Sequence, residues 1–254
     1  MRIFLKTEDE IILLRAASQL ATRALIEVGR HVVPRLALSH LRNKVVNAVM
    51  RTVPTESNSG KEALSSDTEF TFFVNGAYIE PSLEGECMLC EGDWLTVNCW
   101  VCLNGYYSFG AHTFIVGSSQ DDEPMISTFL RDMLRQVVRR ASAGHSIKEM
   151  SRTVYSLHSH DPYVLQKTFG HGVGRNRVEN PILRMNPGVN DTVLLKEGMC
   201  LVIALAFKHG RSHLIKPRLM HESTFHNPFV PFGTTVVVRP GRPEILTSFE
   251  TIVK

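Results

Sequence analysis

Residues 94–116 read WLTVNCWVCLNGYYSFGAHTFIV, two runs of β-branched, aromatic and other apolar residues on either side of Asn104-Gly105. Asparagine and glycine both tolerate the positive φ angles that a tight two-residue turn requires. The stretch therefore predicts an antiparallel β-hairpin, with strands over Trp94–Leu103 and Tyr106–Val116.

Helices are predicted before this hairpin. Thr7 followed by Glu8-Asp9-Glu10 is typical of a helix start, because acidic residues favour the positive end of the helix dipole. Apolar residues then recur at helical spacing as far as Gly29, which favours a stop. A second amphipathic segment is predicted from Pro34 to Met50, and residues 54–68, rich in Ser, Thr, Glu and Gly, are predicted to form an exposed loop.

The remaining elements complete an α+β pattern. A long helix is predicted over about 124–143, and Ser146 with Glu149 forms the sequence signature of a capping box that opens another helix through Tyr155. Further strands are predicted at Phe70–Val74 and Thr234–Val238. Helices, antiparallel strands, two helices and more strands predict one domain over 1–254, with helices packed on one face of an antiparallel sheet.

Composition narrows the function classes. The 254 residues carry 21% charged side chains and a formal net charge of only +3, so no electrostatic footprint for specific nucleic-acid binding is present. The first residues lack the apolar run of a secretory signal, and no stretch approaches the ~20 apolar residues that span a bilayer. With an odd number of cysteines, five, we expect a cytoplasmic protein without a membrane partner.

Four of the cysteines have the spacing CxxC, eight residues, CxxC, which is similar to a zinc knuckle: Cys87, Cys90, Cys99 and Cys102. However, side chains three apart on a strand point to opposite faces, so Cys99 and Cys102 would not converge on one ion. The pattern favours small core residues over a zinc site.

A series of landmarks resembles the type I methionine aminopeptidases, in the same order and across nearly the whole chain. They are Phe4–Ile11, Glu91-Gly92-Asp93, Asn104-Gly105-Tyr106, Thr113–Gly117, Gly170–Arg175, Leu195–Met199 and Gly241–Thr247. The resemblance implies the pita-bread fold of creatinase and the aminopeptidases, a duplicated α+β architecture. It also implies a site in which two aspartates, one histidine and two glutamates hold two divalent metal ions that activate a water.

Only one of these five ligand positions keeps its family residue. The resemblance places the aspartates at Asn98 and Phe109, the histidine at His171, and the glutamates at Ala204 and Gly233. Two further histidines of the family site fall on Glu80 and Val178. We therefore expect no bound metal and no other cofactor. We also expect a reshaped, mostly apolar pocket with His171, Asn98 and Glu80 as its polar residues.

Two functions remain open on these residues. The first is a non-peptidase binding protein, a pseudoenzyme that takes a small-molecule or peptide ligand in the former active site, or a protein or ribosome partner. The alternative is a metal-independent enzyme with new chemistry, such as biosynthetic acyl transfer, isomerisation or cyclisation, with His171 and Glu80 as its candidate catalytic residues. For His171 itself the pattern favours a structural interpretation, since flanking glycines permit tight backbone packing.

Overall fold

Four α-helices and nine β-strands form the described part of the computed structural model, which covers residues 2–53, 64–117, 125–158, 167–186, 193–205 and 232–248. The helices are α1 (Glu8–His31), α2 (Leu38–Thr52), α3 (Met125–Arg139) and α4 (Ile147–His158). The strands are β1 (Glu69–Val74), β2 (Ala77–Ile79), β3 (Trp94–Leu103), β4 (Tyr106–Ile115), β5 (Thr168–Gly172), β6 (Glu179–Arg184), β7 (Cys200–Ala204), β8 (Gly233–Val237) and β9 (Glu244–Ile245).

Two helices begin with reciprocal caps. In α1 the Glu10 backbone N–H donates to Thr7 Oγ1 over 3.3 Å, while the Thr7 N–H donates to Glu10 Oε2 over 3.1 Å. Ser146 and Glu149 form the same pair of bonds at the start of α4. Both caps satisfy N–H groups that have no partner within the helix, which confirms the predicted helix starts.

The predicted helix ends are less accurate. α1 continues two residues past Gly29 to His31, and α2 begins at Leu38 rather than at Pro34. Arg35 has a φ of 66°, so the backbone here turns before it can enter a helix. The third helix ends at Arg139, four residues before the predicted end. Most of the predicted 54–68 loop, residues 54–63, lies outside the described residues.

The predicted hairpin is confirmed in full register. β3 and β4 pair from Trp94 with Ile115 to Leu103 with Tyr106. At the turn, Asn104 has a φ of 50° and Gly105 one of 74°, the left-handed conformations that a two-residue hairpin loop requires.

The strand order repeats itself in two halves. The sheet runs β2-β1-β3-β4-β8-β7-β5-β6, with β9 added beside β8. Each half has two helices followed by four strands, and its strands are arranged in the same order when read from its outer edge. The halves meet where β4 pairs with β8, at Ala111 opposite Gly233. The candidate functional site lies at this central seam.

The helices cover one face of the sheet, as predicted. Alternate β3 residues, among them Val97, Cys99 and Val101, are buried in a core cluster with apolar residues of all four helices. Cys102 follows on the opposite face by strand alternation, in register with Tyr107. All five cysteines are free thiols, four of them buried, while Cys90 is exposed. No helix in the described part of the chain is long and apolar enough to cross a bilayer.

Candidate functional site

The candidate site lies on the inner face, which we define as the sheet face opposite the helices. Asn98 is in register with Ala111, Trp100 with Phe109, and Ala204 with Gly233, so side chains at these positions share this face. The Trp100 and His171 rings are parallel within 7°, with centroids 6.1 Å apart. Three strands separate β3 from β5 in the sheet, so this contact requires a strongly curved, concave inner face.

Phe109, Ala204 and Gly233 form one contact at the seam. A Cβ atom added to Gly233 would lie 2.6 Å from Phe109 Cε1 and 3.2 Å from Ala204 Cβ. The Phe109 ring therefore occupies the space into which a side chain at position 233 would extend. Phe109 is only 4% exposed, and its ring also packs against Trp100 with a centroid distance of 4.8 Å.

The Phe109 backbone is held by hydroxyl groups. Its N–H donates to Thr235 Oγ1 over 2.9 Å, and its carbonyl accepts bonds from the hydroxyls of Thr235 and Thr247. The Ser108 hydroxyl also donates to Thr235 Oγ1 and bonds Ser18 of α1. This buried hydroxyl cluster fixes the Phe109 position across the seam.

His171 sits between two glycines that its surroundings require. A Cβ at Gly170 would lie 2.2 Å from the Val202 carbonyl oxygen, and one at Gly172 would lie 2.4 Å from that of Asn180. His171 Nδ1 lies 2.8 Å from the Gly172 carbonyl oxygen, which can only accept, so the neutral ring carries its proton on Nδ1 and leaves Nε2 unprotonated. Burial lowers the pKa of His171, with the Gly172 bond opposing, so the imidazole is neutral at physiological pH.

Asn98 is a buried amide without a complete set of partners. Its side chain is 8% exposed, and its Oδ1 atom has no hydrogen-bond partner among the described residues. Across the seam its row continues through Ala111 and Gly233 to Ala204, none of which offers a polar side-chain group. The sequence predicted that Asn98 lies at the site, but only the structure shows that its Oδ1 atom lacks a hydrogen-bond partner among the described residues.

Arg177 is a site residue that the sequence did not indicate. Its guanidinium lies 5.6 Å from the Trp100 ring centre and 5.8 Å from that of Tyr107. It donates to Glu69 Oε2 over 2.8 Å and to the Asp67 carbonyl oxygen. Arg177 thus joins the β5–β6 connection to the start of β1, a contact between the two halves that no local motif signals.

Glu80 lies at one end of the Asn98 row, because the β1–β2 register sets it opposite Thr71, which pairs with Asn98. Glu80 follows β2, at the outer edge of the sheet, and begins the short 3-10 turn Pro81–Leu83. None of the hydrogen bonds or ring contacts among the described residues joins Glu80 to His171. Val178 is 59% exposed, so its side chain extends toward solvent.

The five positions at which the resemblance places metal ligands supply few donor atoms for a metal. They offer one neutral imidazole and one neutral amide, while Phe109, Ala204 and Gly233 offer no side-chain ligand. In the parts of the chain that the structure describes, no group of three or more His, Cys, Asp or Glu side chains is arranged to hold a metal ion.

Comparison with known proteins identifies the family. The chain is 24% identical over 248 residues to the methionine aminopeptidase of Clostridium perfringens, covering 96% of this chain and 98% of that protein. The methionine aminopeptidase structure from Thermotoga maritima superposes with a TM-score of 0.76 at 22% identity, over 97% of this chain and 100% of that one. The prolidase of Pyrococcus furiosus gives 0.71 at 19% identity, over 96% and 65%.

These neighbours confirm the predicted pita-bread fold, an antiparallel sheet with helices on one face. A family model described as metallopeptidase family M24 matches residues 12–240, which is most of the sequence. The chain belongs to the metallopeptidase family M24.

Proposed function

We propose that this M24 family protein has lost the two-metal peptidase chemistry and instead binds a small-molecule or peptide ligand on its inner face. The protein shares its fold with the methionine aminopeptidases to which it is similar. Its five free thiols fit a reducing cytoplasm.

Coordination chemistry supports the first half of this proposal. Two adjacent divalent cations require several anionic oxygen ligands, including bridging carboxylates that offset their charge. Asn98 provides a neutral oxygen and His171 one neutral nitrogen, and the other three positions provide nothing. This donor set does not fit a pair of metal ions, so we assign no catalytic step to them.

The observation that carries the proposal is the position of the Phe109 ring. It fills the space beside Gly233 and Ala204, so a benzyl group stands where carboxylates at three positions would converge. A neighbouring residue therefore cannot supply the missing ligand by a change of rotamer alone, since the space is already packed.

A direct assay tests the loss of peptidase activity. The purified protein is incubated with Met-Ala-Ser and either Co²⁺ or Mn²⁺, with the methionine aminopeptidase of Clostridium perfringens as the positive control. We expect the control to release methionine and this protein to release none above the metal-only blank. Robust, metal-stimulated release of methionine would contradict the proposal.

The alternative, a metal-independent enzyme, is supported by the state of His171. Its unprotonated Nε2 and its lowered pKa suit a neutral general base. The test replaces the gene by a His171→Ala version in the native organism, with His40→Ala, an exposed histidine of α2, as the matched control. Loss of the native phenotype in a folded His171→Ala protein would favour the enzyme, and an unchanged phenotype would count against it.

A further inference from the structure

We infer that Arg177 occupies a cation site on the rim of the inner face, and that a ligand with a guanidinium or amidinium group takes its place. The cation site consists of Asp67, Glu69, Trp100 and Tyr107, all of which contact the Arg177 guanidinium. The inference rests on the proposed function, because it names the charged group of the inner-face ligand.

The first step is the set of contacts that already hold a planar cation. The Arg177 guanidinium lies 5.6 Å from the centre of the Trp100 ring and 5.8 Å from that of Tyr107. It also donates to Glu69 Oε2 over 2.8 Å and to the Asp67 carbonyl oxygen. Aromatic rings within about 6 Å, together with a carboxylate, bind a delocalised cation. The site therefore suits a guanidinium from the chain or from a ligand.

The second step is that the walls of the cation site do not depend on the guanidinium they hold. Glu69 is in register with Trp100 on the neighbouring strand, and the Trp100 ring packs against Phe109 with a centroid distance of 4.8 Å. The Tyr107 hydroxyl donates to Asp67 Oδ2 over 2.5 Å. These contacts keep the walls in place when the guanidinium leaves.

The third step is charge. Residues 64–117 include all four residues of the cation site and contain no lysine or arginine. A cation at this site therefore comes from outside this stretch, as Arg177 does. Without a cation, the Glu69 carboxylate would stand unpaired beside two aromatic rings, so a cation from solution is attracted to it.

The fourth step is that the Arg177 side chain can leave while its backbone stays. The side chain is 35% exposed and that of Glu69 is 51% exposed, and exposed ion pairs contribute little stability. The turn that carries Arg177 is held separately by a buried ion pair, in which Lys6 Nζ lies 2.5 Å from Glu179 Oε2. Glu179 Oε1 also accepts from the Asn176 N–H over 3.1 Å. A competing cation therefore displaces only a side chain.

The test measures benzamidine binding to the chelator-treated full chain by NMR, with the indole N–H signal of Trp100 as the readout. Trp94→Phe assigns this signal, because the chain has two tryptophans. Arg177 is an internal competitor, so Arg177→Ala should bind benzamidine about five- to thirtyfold more tightly than the wild type. Benzamide, which has the same shape without the charge, should bind both proteins equally.

Three further variants make the result specific to the cation site. Arg175→Ala removes the same charge from the same turn, but its guanidinium lies over Tyr106, so benzamidine affinity should change by less than about twofold. Glu69→Gln added to Arg177→Ala should abolish the gain. Arg177→Gln should reproduce the gain, so that the result does not depend on one variant, and thermal unfolding checks that each protein is folded.

A second probe, Nα-acetylargininamide, distinguishes the two sources of a guanidinium. If Arg177→Ala binds it more tightly than benzamidine, the natural occupant is an arginine side chain of a peptide. The reverse order indicates a small guanidine or amidine. Both orders support the cation site.

The outcomes separate this inference from the proposed function. Equal benzamidine affinity of the wild type and Arg177→Ala, or no binding to either, overturns the inference. A gain that benzamide shares, or that Glu69→Gln leaves intact, also overturns it. Stoichiometric binding of Mn²⁺ by the same chelator-treated protein after dialysis would instead overturn the proposed function, whatever the affinity for benzamidine.

Discussion

Phe109 and Gly233 act as a coupled pair at the scale of single residues. The ring of one occupies the position of the other's absent side chain, with the nearest ring carbon 2.6 Å from where a Cβ would stand. Position 233 has no room for a side chain while the Phe109 ring is in place, because real Cβ atoms do not approach a ring carbon so closely. The packing of the two positions is therefore coupled.

Gly233→Ala should destabilise the protein by about 1–3 kcal/mol, the usual cost of overpacking a filled core. Phe109→Ala alone should cost about 3–5 kcal/mol through the cavity it leaves. In the double variant the added methyl group enters that cavity. Its loss of stability should therefore be smaller than the sum of the two single-variant losses by about 1 kcal/mol or more. Urea unfolding followed by circular dichroism measures all three.

Gly85→Ala is the matched control, since a Cβ there meets no atom within 4 Å. Its effect should stay within about 0.5 kcal/mol. Strict additivity of the Gly233 and Phe109 substitutions would contradict the packing described here.

His112 predicts a pH dependence of stability. It is buried, its Nδ1 has no hydrogen-bond partner in the part of the chain that the structure describes, and its ring packs against Phe114 and Phe232. Burial, helped by the nearby Arg131 charge, lowers its pKa from 6.5 to about 3. Below pH 6.5 the His112 imidazole binds a proton in the unfolded chain but not in the folded chain, so the free energy of unfolding should fall with falling pH.

The expected loss between pH 6.5 and pH 5 is about 1.6 kcal/mol, because the slope reaches about 1.4 kcal/mol per pH unit only well below the unfolded pKa. Denaturant unfolding at several pH values measures it. His112→Leu should remove most of this slope, because leucine does not titrate. An equal slope in the variant would show that other groups are responsible.

Single-residue roles could be predicted from the sequence only where a local pattern carried them. The Gly-His-Gly signature indicated tight packing around His171, and the structure confirms close carbonyl oxygens on both sides. The contact of Arg177 with Trp100 could not be predicted, because it joins residues that only the sheet curvature brings together.

At the scale of elements, the seam between β4 and β8 is held by side-chain hydroxyls as well as by its backbone pair. Thr247 accepts from the Thr235 N–H over 2.7 Å and donates to the Phe109 carbonyl over 3.0 Å. It also bonds the Thr234 hydroxyl. Thr247, two residues after β9, thus links β8 to β4 and holds the two halves together.

Thr247→Val should therefore cost about 1–3 kcal/mol, because it keeps the side-chain shape while leaving buried partners unsatisfied. Thr153→Val, on the surface of α4, removes a hydroxyl whose bond to the Glu149 carbonyl is exposed, and should change stability by less than about 0.5 kcal/mol. Thermal and urea unfolding compare the two. A Thr247→Val protein as stable as the control variant would contradict the locking role.

Element types were predictable where the local chemistry is strong. Thr7 with Glu10, Ser146 with Glu149, and Asn104-Gly105 each satisfy or shape the backbone within a few residues. Helix ends were predicted less well, because Gly29 is tolerated inside α1 and Arg35 turns the chain before α2. Those outcomes depend on tertiary packing, which a local pattern does not contain.

At the scale of the whole molecule, two halves of similar strand order form the fold, and the candidate site lies at the seam between them. The landmarks of the sequence led to the pita-bread fold and the duplication that it implies, and the strand order shows this duplication directly. Curvature of the sheet then brings β3 of one half against β5 of the other, so Trp100 meets His171. The inner face is thus a family scaffold that presents aromatic and amide groups at the seam.

Metal stoichiometry tests the central claim most directly. The chelator-treated protein is dialysed against Mn²⁺ or Co²⁺, desalted, and analysed by mass spectrometry for ions per chain. Because one imidazole and one amide are weak competitors with water for a divalent ion, we predict far less than one ion per chain, unchanged by His171→Ala. Two ions per chain that disappear in His171→Ala would contradict the account.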